Sequence, residues 1–572
     1  MKLKIADSRF FSFSLLLVLI IPIASDLLFV SENASPDSNY YFMFTVDRDG
    51  FTNVEINFNS TDTSGESWVF VPKYSSWNHT ETSGQITQSE LVETDQVIGQ
   101  ALYFYQAFRF RYQSTGVFNM TLKFDFNNGA LVMEPDGMFY SPQIGFQASS
   151  NGNAEVTFDH NFQINEKLAV VVGSSTSYPV QKVVQNRALF RLQENVVRIQ
   201  IEFSVNATPQ EITLRNGDNK TFTFKTVSRY ETYARNILRL YDRIYNQTAR
   251  LFNVTLEDII VQWFLPDFES LLSVGGYVPV FTGGLGEINL NIVFIRTVNG
   301  TIEAIATHEL VHRFLGTAGI PPSDFLWFHE GMAQYISVNL VANLGYEGAE
   351  TEKENLENGV SRLIQLLGGE NFDSISLQRW SPSSQPSTDV SSLYVASYYV
   401  VSRLPQVVKQ DGFEYYQRFF ELVGQLPSNF SGVKVKNISE MTLYLSQAAN
   451  ASVASTLKRW GFSLTDLYES PIQELIAEAG KALGEVNPIF QPYRFLADYF
   501  YQQALSSAEQ GDWDRASSLL NLSITLANLA PLLTFLTIIG ILVLLVFILT
   551  RKSGRTQPVV PPPPPEIMQP RA

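Results

Sequence analysis

The chemistry this chain can be expected to do rests on a few histidines and glutamates. The run Thr307-His308-Glu309-Leu310-Val311-His312-Arg313-Phe314-Leu315-Gly316 contains H-E-x-x-H. Residues four apart share one face of a helix, so His308 and His312 can point the same way. Two neutral imidazoles at that spacing can hold one Zn2+ at about 2.0–2.1 Å each. Glu309 lies one residue round the helix, where it can act on a water beside the metal. The chain has only five histidines, so the pattern does not arise readily by accident.

A catalytic zinc takes three protein ligands and keeps a fourth position open. Seventeen residues separate His312 from Glu330, within Trp327-Phe328-His329-Glu330-Gly331-Met332-Ala333-Gln334-Tyr335. The lead-in Glu303-Ala304-Ile305-Ala306 favours a helix, and Gly316 is the expected residue just past its end. Gly319-Ile320-Pro321-Pro322-Ser323-Asp324 then breaks the chain. Ser323 or Asp324 can cap a second helix from about Phe325 to Leu340. Helix, turn, helix would bring Glu330 back over the histidine pair as third ligand. His329 competes for that role, although as a helix neighbour it points about 100° away.

H-E-L-V-H-R-F-L-G followed by W-F-H-E-G-M-A-Q-Y resembles the zinc signature of the aminopeptidase N family, a branch of the gluzincin metallopeptidases. That family reads H-E-L-A-H-x-W-F-G and then W-L-N-E-G-F-A, with one more residue between the second His and the Glu. The resemblance implies His308, His312 and Glu330 as ligands of one Zn2+, Glu309 as general base, and a thermolysin-like catalytic domain. Upstream, the family has a G-A-M-E-N strand whose Glu holds the substrate's free amine. Gly283-Gly284-Leu285-Gly286-Glu287-Ile288-Asn289 is similar, which makes Glu287 the candidate amine anchor. Downstream, the family's Y-E-K-G-A carries a Tyr that donates to the oxyanion. Tyr394, in Ser392-Leu393-Tyr394-Val395-Ala396-Ser397-Tyr398-Tyr399, aligns with it, and Tyr398 and Tyr399 are rivals.

The elements that must position these residues follow a clear order. Asn39 to about Lys225 alternates apolar and polar residues between Gly, Asn and Asp clusters, which predicts an antiparallel β-sandwich-like domain. Near Arg229 the period changes. Ala234, Ile237, Leu238, Tyr241 and Ile244 fall at helical spacing, and Ile259–Phe264 reads as a buried strand. Beyond Leu340 the pattern is helical, with short helices expected at 413–423, 441–449, 453–460, 463–469 and 471–483, and a helical hairpin over 492–526 turning at Gly511-Asp512. The expected class is a multidomain α+β protein. Its parts are a signal peptide at 1–25, a β-rich domain at 26–227, a thermolysin-like zinc domain at 228–425, a helical region at 426–527, a transmembrane helix at 528–550 and a Pro-rich cytoplasmic tail at 551–572.

Compartment and partners follow from composition. Met1–Arg9 is basic and Phe10–Ile23 mostly apolar, which reads as a secretory leader. Leu529–Leu549 is long and apolar enough to span a bilayer. Arg551, Lys552 and Arg555 follow it and predict a cytoplasmic C-terminus and an outer ectodomain. Thirteen N-x-S/T sequons lie between these ends, so N-linked glycans are expected. The chain has no cysteine, which excludes disulfides and thiolate metal sites, and a net charge of −16, which argues against nucleic acid. Glycosylation without cysteine fits an archaeal cell surface. The activity implied is removal of N-terminal residues from peptides or proteins. The alternatives are a gluzincin endopeptidase and a glycosylated surface protein with a vestigial peptidase domain.

Overall fold

The computed structural model describes residues 38–553, apart from 175, 208–210, 216–221, 268–270, 272–273, 282–283, 384–388 and 429–431. The expected leader at 1–25 and residues 554–572 of the tail lie outside the described residues.

The chain is α+β, sheet-rich first and helical later. A seven-stranded sheet, a six-stranded sheet and a three-stranded sheet form the N-terminal region. Alternation turns every second residue inward. Phe42, Phe44, Val54, Ile56, Phe58, Leu122, Phe108, Phe110, Val171, Ile199 and Phe203, drawn from all three sheets, share one buried core. Pairing is antiparallel as expected, with one exception: Ser38–Val46 runs parallel to Asn151–Thr157.

The expected boundary at 227 falls too late. Strands β1 (Glu211–Arg215) and β2 (Phe222–Val227) pair into the next sheet, with β3 (Ile259–Phe264), β4 (Gly276–Tyr277) and β5 (Ile288–Asn291), in the order β1-β2-β3-β5-β4. The pairs β2–β3 and β3–β5 are parallel, whereas β4 is an antiparallel edge strand. Parallel neighbours need a crossover, and α1 (Glu231–Phe252) supplies it between β2 and β3. Its Ala234, Ile237, Leu238, Tyr241, Ile244 and Tyr245 are buried on one face, as their spacing requires.

Two helices then cross the centre of the core. In α2 (Thr301–Thr317) Glu303 accepts from the Gly300 N–H at 2.9 Å, which satisfies one of the orphan donors at the helix start. Gly316 lies inside α2, not past its end. The left-handed residue is Gly319, φ 88°, and the Ile320 N–H closes the turn on Leu315 O at 3.2 Å. Helix α3 (Pro322–Ala342) starts earlier than expected, behind Pro321, and kinks at Phe325, where φ is −134° and ψ 39°. Neither Ser323 nor Asp324 caps it; the Ser323 hydroxyl donates to the Asp324 carboxylate instead. Buried residues face all sides of both helices, the pattern of elements enclosed in a core.

The later helices are α4 (Glu347–Leu367), α5 (Val390–Val407), α6 (Gly412–Gly424), α7 (Ile438–Ala449), α8 (Gln473–Glu485), α9 (Gln491–Glu509) and α10 (Trp513–Ser553), with the short helix Ala454–Arg459 between α7 and α8 where 453–460 was expected. The core around α2 and α3 reaches Trp460 and Phe462, so the division expected at 425 cuts through one packed unit. The helix expected at 463–469 is absent; Asp466 Oδ1 instead accepts from the Tyr468 N–H at 3.0 Å. The hairpin's second helix and the apolar segment expected at 528–550 are one continuous helix, α10. It is the one candidate membrane span among the described residues.

Packing of α3 on α5 is close enough to be tested. A Cβ at Gly331 would sit 2.4 Å from the Ser397 carbonyl oxygen. Gly331→Ala should therefore lower stability by about 1–3 kcal/mol through overpacking, read as a lower midpoint in thermal unfolding. An unchanged midpoint would contradict this packing.

Candidate metal centre

Helical spacing does what the sequence promised. His308 and His312 project from one face of α2, with ring centroids 4.7 Å apart and Nε2 atoms at 3.1 Å. Glu330, on α3, brings Oε2 to 3.1 Å from His308 Nε2 and 3.6 Å from His312 Nε2. All three residues are at most 3% exposed. They form a group that could hold a metal ion. A tetrahedral ion with bonds of about 2.0–2.1 Å would space its donors about 3.3 Å apart, close to the triangle seen here.

The donor chemistry fits a cation too. Burial pushes His308 down to about 4 and His312 down to about 3, so both imidazoles are neutral near pH 7 and offer lone pairs. Burial also raises Glu330 above the usual carboxylate range. Three buried acceptors facing one point repel one another, and a divalent ion among them offsets both that repulsion and the lost hydration.

Of the two candidates for third ligand, Glu330 is the one in the triangle. His329 stands behind His312: the rings stack at 5.6 Å, and the two Nδ1 atoms are 3.4 Å apart. Its Nε2 lies 2.8 Å from the Ile320 carbonyl oxygen, so that nitrogen carries the proton and donates. His329 Nδ1 is then an acceptor toward His312 Nδ1–H, which leaves His312 Nε2 as a lone pair for the metal. Burial holds His329 down at about 3, in the neutral form this relay requires.

Glu309 follows His308 on α2 but stays out of the triangle. Its two carboxylate oxygens are buried and accept no hydrogen bond among the described residues. Burial, then the charge of Glu330, raises it well above the ordinary carboxylate range, the direction expected of a proton acceptor tuned toward neutrality. The edge strand β4 lies against it. A Cβ at Gly276 would come within 2.8 Å of Glu309 Cγ, so the missing side chain there is what admits the carboxylate.

Tyr394, on α5, is buried edge-on to Trp380 at 5.1 Å. Burial, then the charges of Glu330 and Glu309, raises its hydroxyl well above 10, so it stays protonated and sits within electrostatic reach of both carboxylates. Its rivals face elsewhere. Tyr398 donates to Glu357 at 3.2 Å, and Tyr399 packs against Phe372 and Trp460. Glu287 is placed differently from the others: its carboxylate pairs with Lys225 at 2.7 Å and is about one-third exposed.

Two positioning groups escaped the sequence reading. Gly276 was signalled only by the Gly275-Gly276 pair, a mark of close backbone approach. Arg313, next to His312, donates to the carbonyls of Leu285 and Gly286 and ties the preceding loop to α2. No protein-family model matches the chain, and no curated protein matches it.

The wild-type chain should carry about one metal ion per molecule, and His308→Ala should lose it. His329→Ala should retain the metal but weaken its affinity about 10–100-fold, because the tautomer of His312 is no longer fixed. Elemental analysis with competitive chelation measures both. Full occupancy in His308→Ala would contradict the assignment.

Proposed function

We propose that this chain is a membrane-tethered zinc metallopeptidase with a thermolysin-like catalytic unit that hydrolyses peptide bonds in peptide or protein substrates. The observation that carries the proposal is the buried triangle of His308 Nε2, His312 Nε2 and Glu330 Oε2, with the Glu309 carboxylate beside it. All-nitrogen-and-oxygen ligation with no thiolate suits Zn2+ in a hydrolytic site. The ion, when bound, supplies a Lewis acid and acidifies water toward a pKa of about 7.

The chain's own groups fill the remaining roles. Glu309 takes a proton from the attacking water as the C–O bond forms, then delivers it to the leaving amine as the C–N bond breaks. Tyr394 donates its hydroxyl hydrogen to the oxygen on which negative charge develops. The edge strand β4 beside Glu309 suits an extended peptide backbone, which hydrogen-bonds to an edge strand whatever its side chains.

The resemblance to aminopeptidase N implies an exopeptidase, which needs an acidic anchor for the substrate's ammonium. Glu287 has its carboxylate on Lys225, which favours cleavage that does not require a free N-terminus. The site therefore supports the endopeptidase reading better.

Location follows from α10 and the sequons. The basic residues after the span favour a cytoplasmic C-terminus with the metal centre outside. Asn78, Asn206, Asn246, Asn253, Asn299, Asn450 and Asn521 are exposed, as acceptors of N-linked glycans must be.

Three results test the proposal on purified full-length protein. Glu309→Gln should abolish turnover yet keep its zinc, since Glu309 is no ligand. Tyr394→Phe should lower kcat on the order of 10²–10³-fold with little change in KM. Free and N-acetylated versions of one peptide should be cleaved with similar kcat/KM. A strong preference for the free amine would restore the aminopeptidase reading, and full activity in Glu309→Gln would overturn the mechanism.

A further inference from the structure

The outer face of the last helical hairpin changes character along its length. On α9 and the turn before it, Ile489 is 74% exposed, Phe495 66%, Tyr499 51% and Leu496 39%. The same face continues at Gln503, Ser506 and Gln510, also exposed. From Phe495 and Leu496 through Tyr499, Gln503, Ser506 and Gln510 the steps are three and four, so these positions form one stripe of the helix, apolar at its start and polar beyond. The partner helix α10 makes the opposite passage. Its exposed Asp514, Ser518, Asn521, Thr525 and Asn528 are polar, with Leu522 the exception, and from Leu529 onward the exposed residues Leu532, Phe535 and Leu536 are apolar.

The apolar start of α9 lies next to the start of the apolar segment of α10. The helices are antiparallel neighbours: Ser523 Oγ donates to Ala497 O at 2.8 Å, and the Tyr493 hydroxyl meets Thr537 Oγ1. Thr537 is eight residues past Leu529 (537 − 529), about 12 Å further along the helix at about 1.5 Å per residue. Ala497 stands opposite Ser523, six residues before Leu529, so α9 begins level with the start of the apolar segment, and the Tyr493 side chain reaches down beside it. Water is a poor neighbour for such a surface, and it is continuous with the surface of the span. Phe495 and Tyr499 are the residue types that settle at a bilayer interface, and Arg494 on the same turn can keep its head among phosphates.

We infer that the segment from Ile489 to Leu496 settles into the interface of the lipid leaflet at which α10 enters the bilayer, giving the protein a second membrane contact. The inference rests on the reading of α10 as a membrane span. Side-chain contacts tie the segment to the rest of the chain. Asp498 pairs with Lys436 at 2.5 Å, and Tyr501 meets Tyr444 at 3.3 Å, on the helix that packs into the core around the metal centre. Two points of attachment fix the tilt of the catalytic unit over the lipid surface, where one helix alone would let it swing.

The chain has no cysteine, so single-cysteine variants report one position each. Phe495→Cys, Phe535→Cys and Leu366→Cys, in the full chain, can carry a nitroxide in phosphatidylcholine vesicles. Collision rates with oxygen, which concentrates in lipid, and with a water-soluble nickel chelate then give depth. Phe495 should favour oxygen, as Phe535 in the span does, while Leu366, 80% exposed on α4, should favour the chelate. A Phe495 label that behaves like Leu366 while Phe535 reads as buried in lipid would overturn the inference and leave the span intact. Spin–spin broadening at Phe495 with low access to both reagents would show a second copy covering the face, and would overturn it too. A Phe535 label in water would overturn the span reading, and the inference with it.

Discussion

Three buried lone pairs held face to face set the terms for the centre of this protein. His308 Nε2, His312 Nε2 and Glu330 Oε2 are buried acceptors within 3.6 Å of one another. Such a cluster is costly unless a cation or a shared proton lies among them. Keeping it in place requires two helices that cannot shift, and the surrounding structure provides them. Helix α2 has buried residues on all sides, Gly276 of the sheet edge and Leu285 of the hairpin before β5 press on it, and Gly331 lets α3 sit directly against α5. His329 extends the same order outward by fixing which nitrogen of His312 is bare.

The rest of the chain gives this centre a floor and an orientation. The edge strand β4 runs beside Glu309, and the N-terminal region joins the core around α2 and α3 through specific contacts. The Tyr230 hydroxyl accepts from the Val132 N–H at 2.7 Å, and Arg296, which precedes α2, donates to Tyr140 O at 2.7 Å while lying over the Phe126 ring. On the far side, α7 links the core to the hairpin that runs into α10. The candidate metal centre is thus linked through packed elements to α10.

What could be read from sequence was whatever depends on short spacing. His308 and His312 are four residues apart on a helix, so geometry follows from the count. Glu330 required only a turn between two helices. The apolar segment of α10 is legible from composition alone. What could not be read depends on which distant segments become neighbours. The pairing of Glu287 with Lys225 spans 62 residues and the intervening strand β3, and no local pattern encodes it. β1 and β2 alternate just as the strands of the N-terminal sheets do, so periodicity could not say that they belong to the following sheet. The helix stop moved from Gly316 to Gly319 because Gly316 makes room for Leu285 instead of ending the helix, a tertiary demand that a glycine alone does not announce.

The most direct measurement of the central claim is X-ray absorption at the zinc edge on the metal-loaded full-length protein. The account predicts a first shell of about four nitrogen and oxygen neighbours at about 2.0–2.1 Å, with the outer-shell scattering of two imidazoles and no sulfur. A shell without imidazole scattering, or a chain that takes up no zinc, would contradict it.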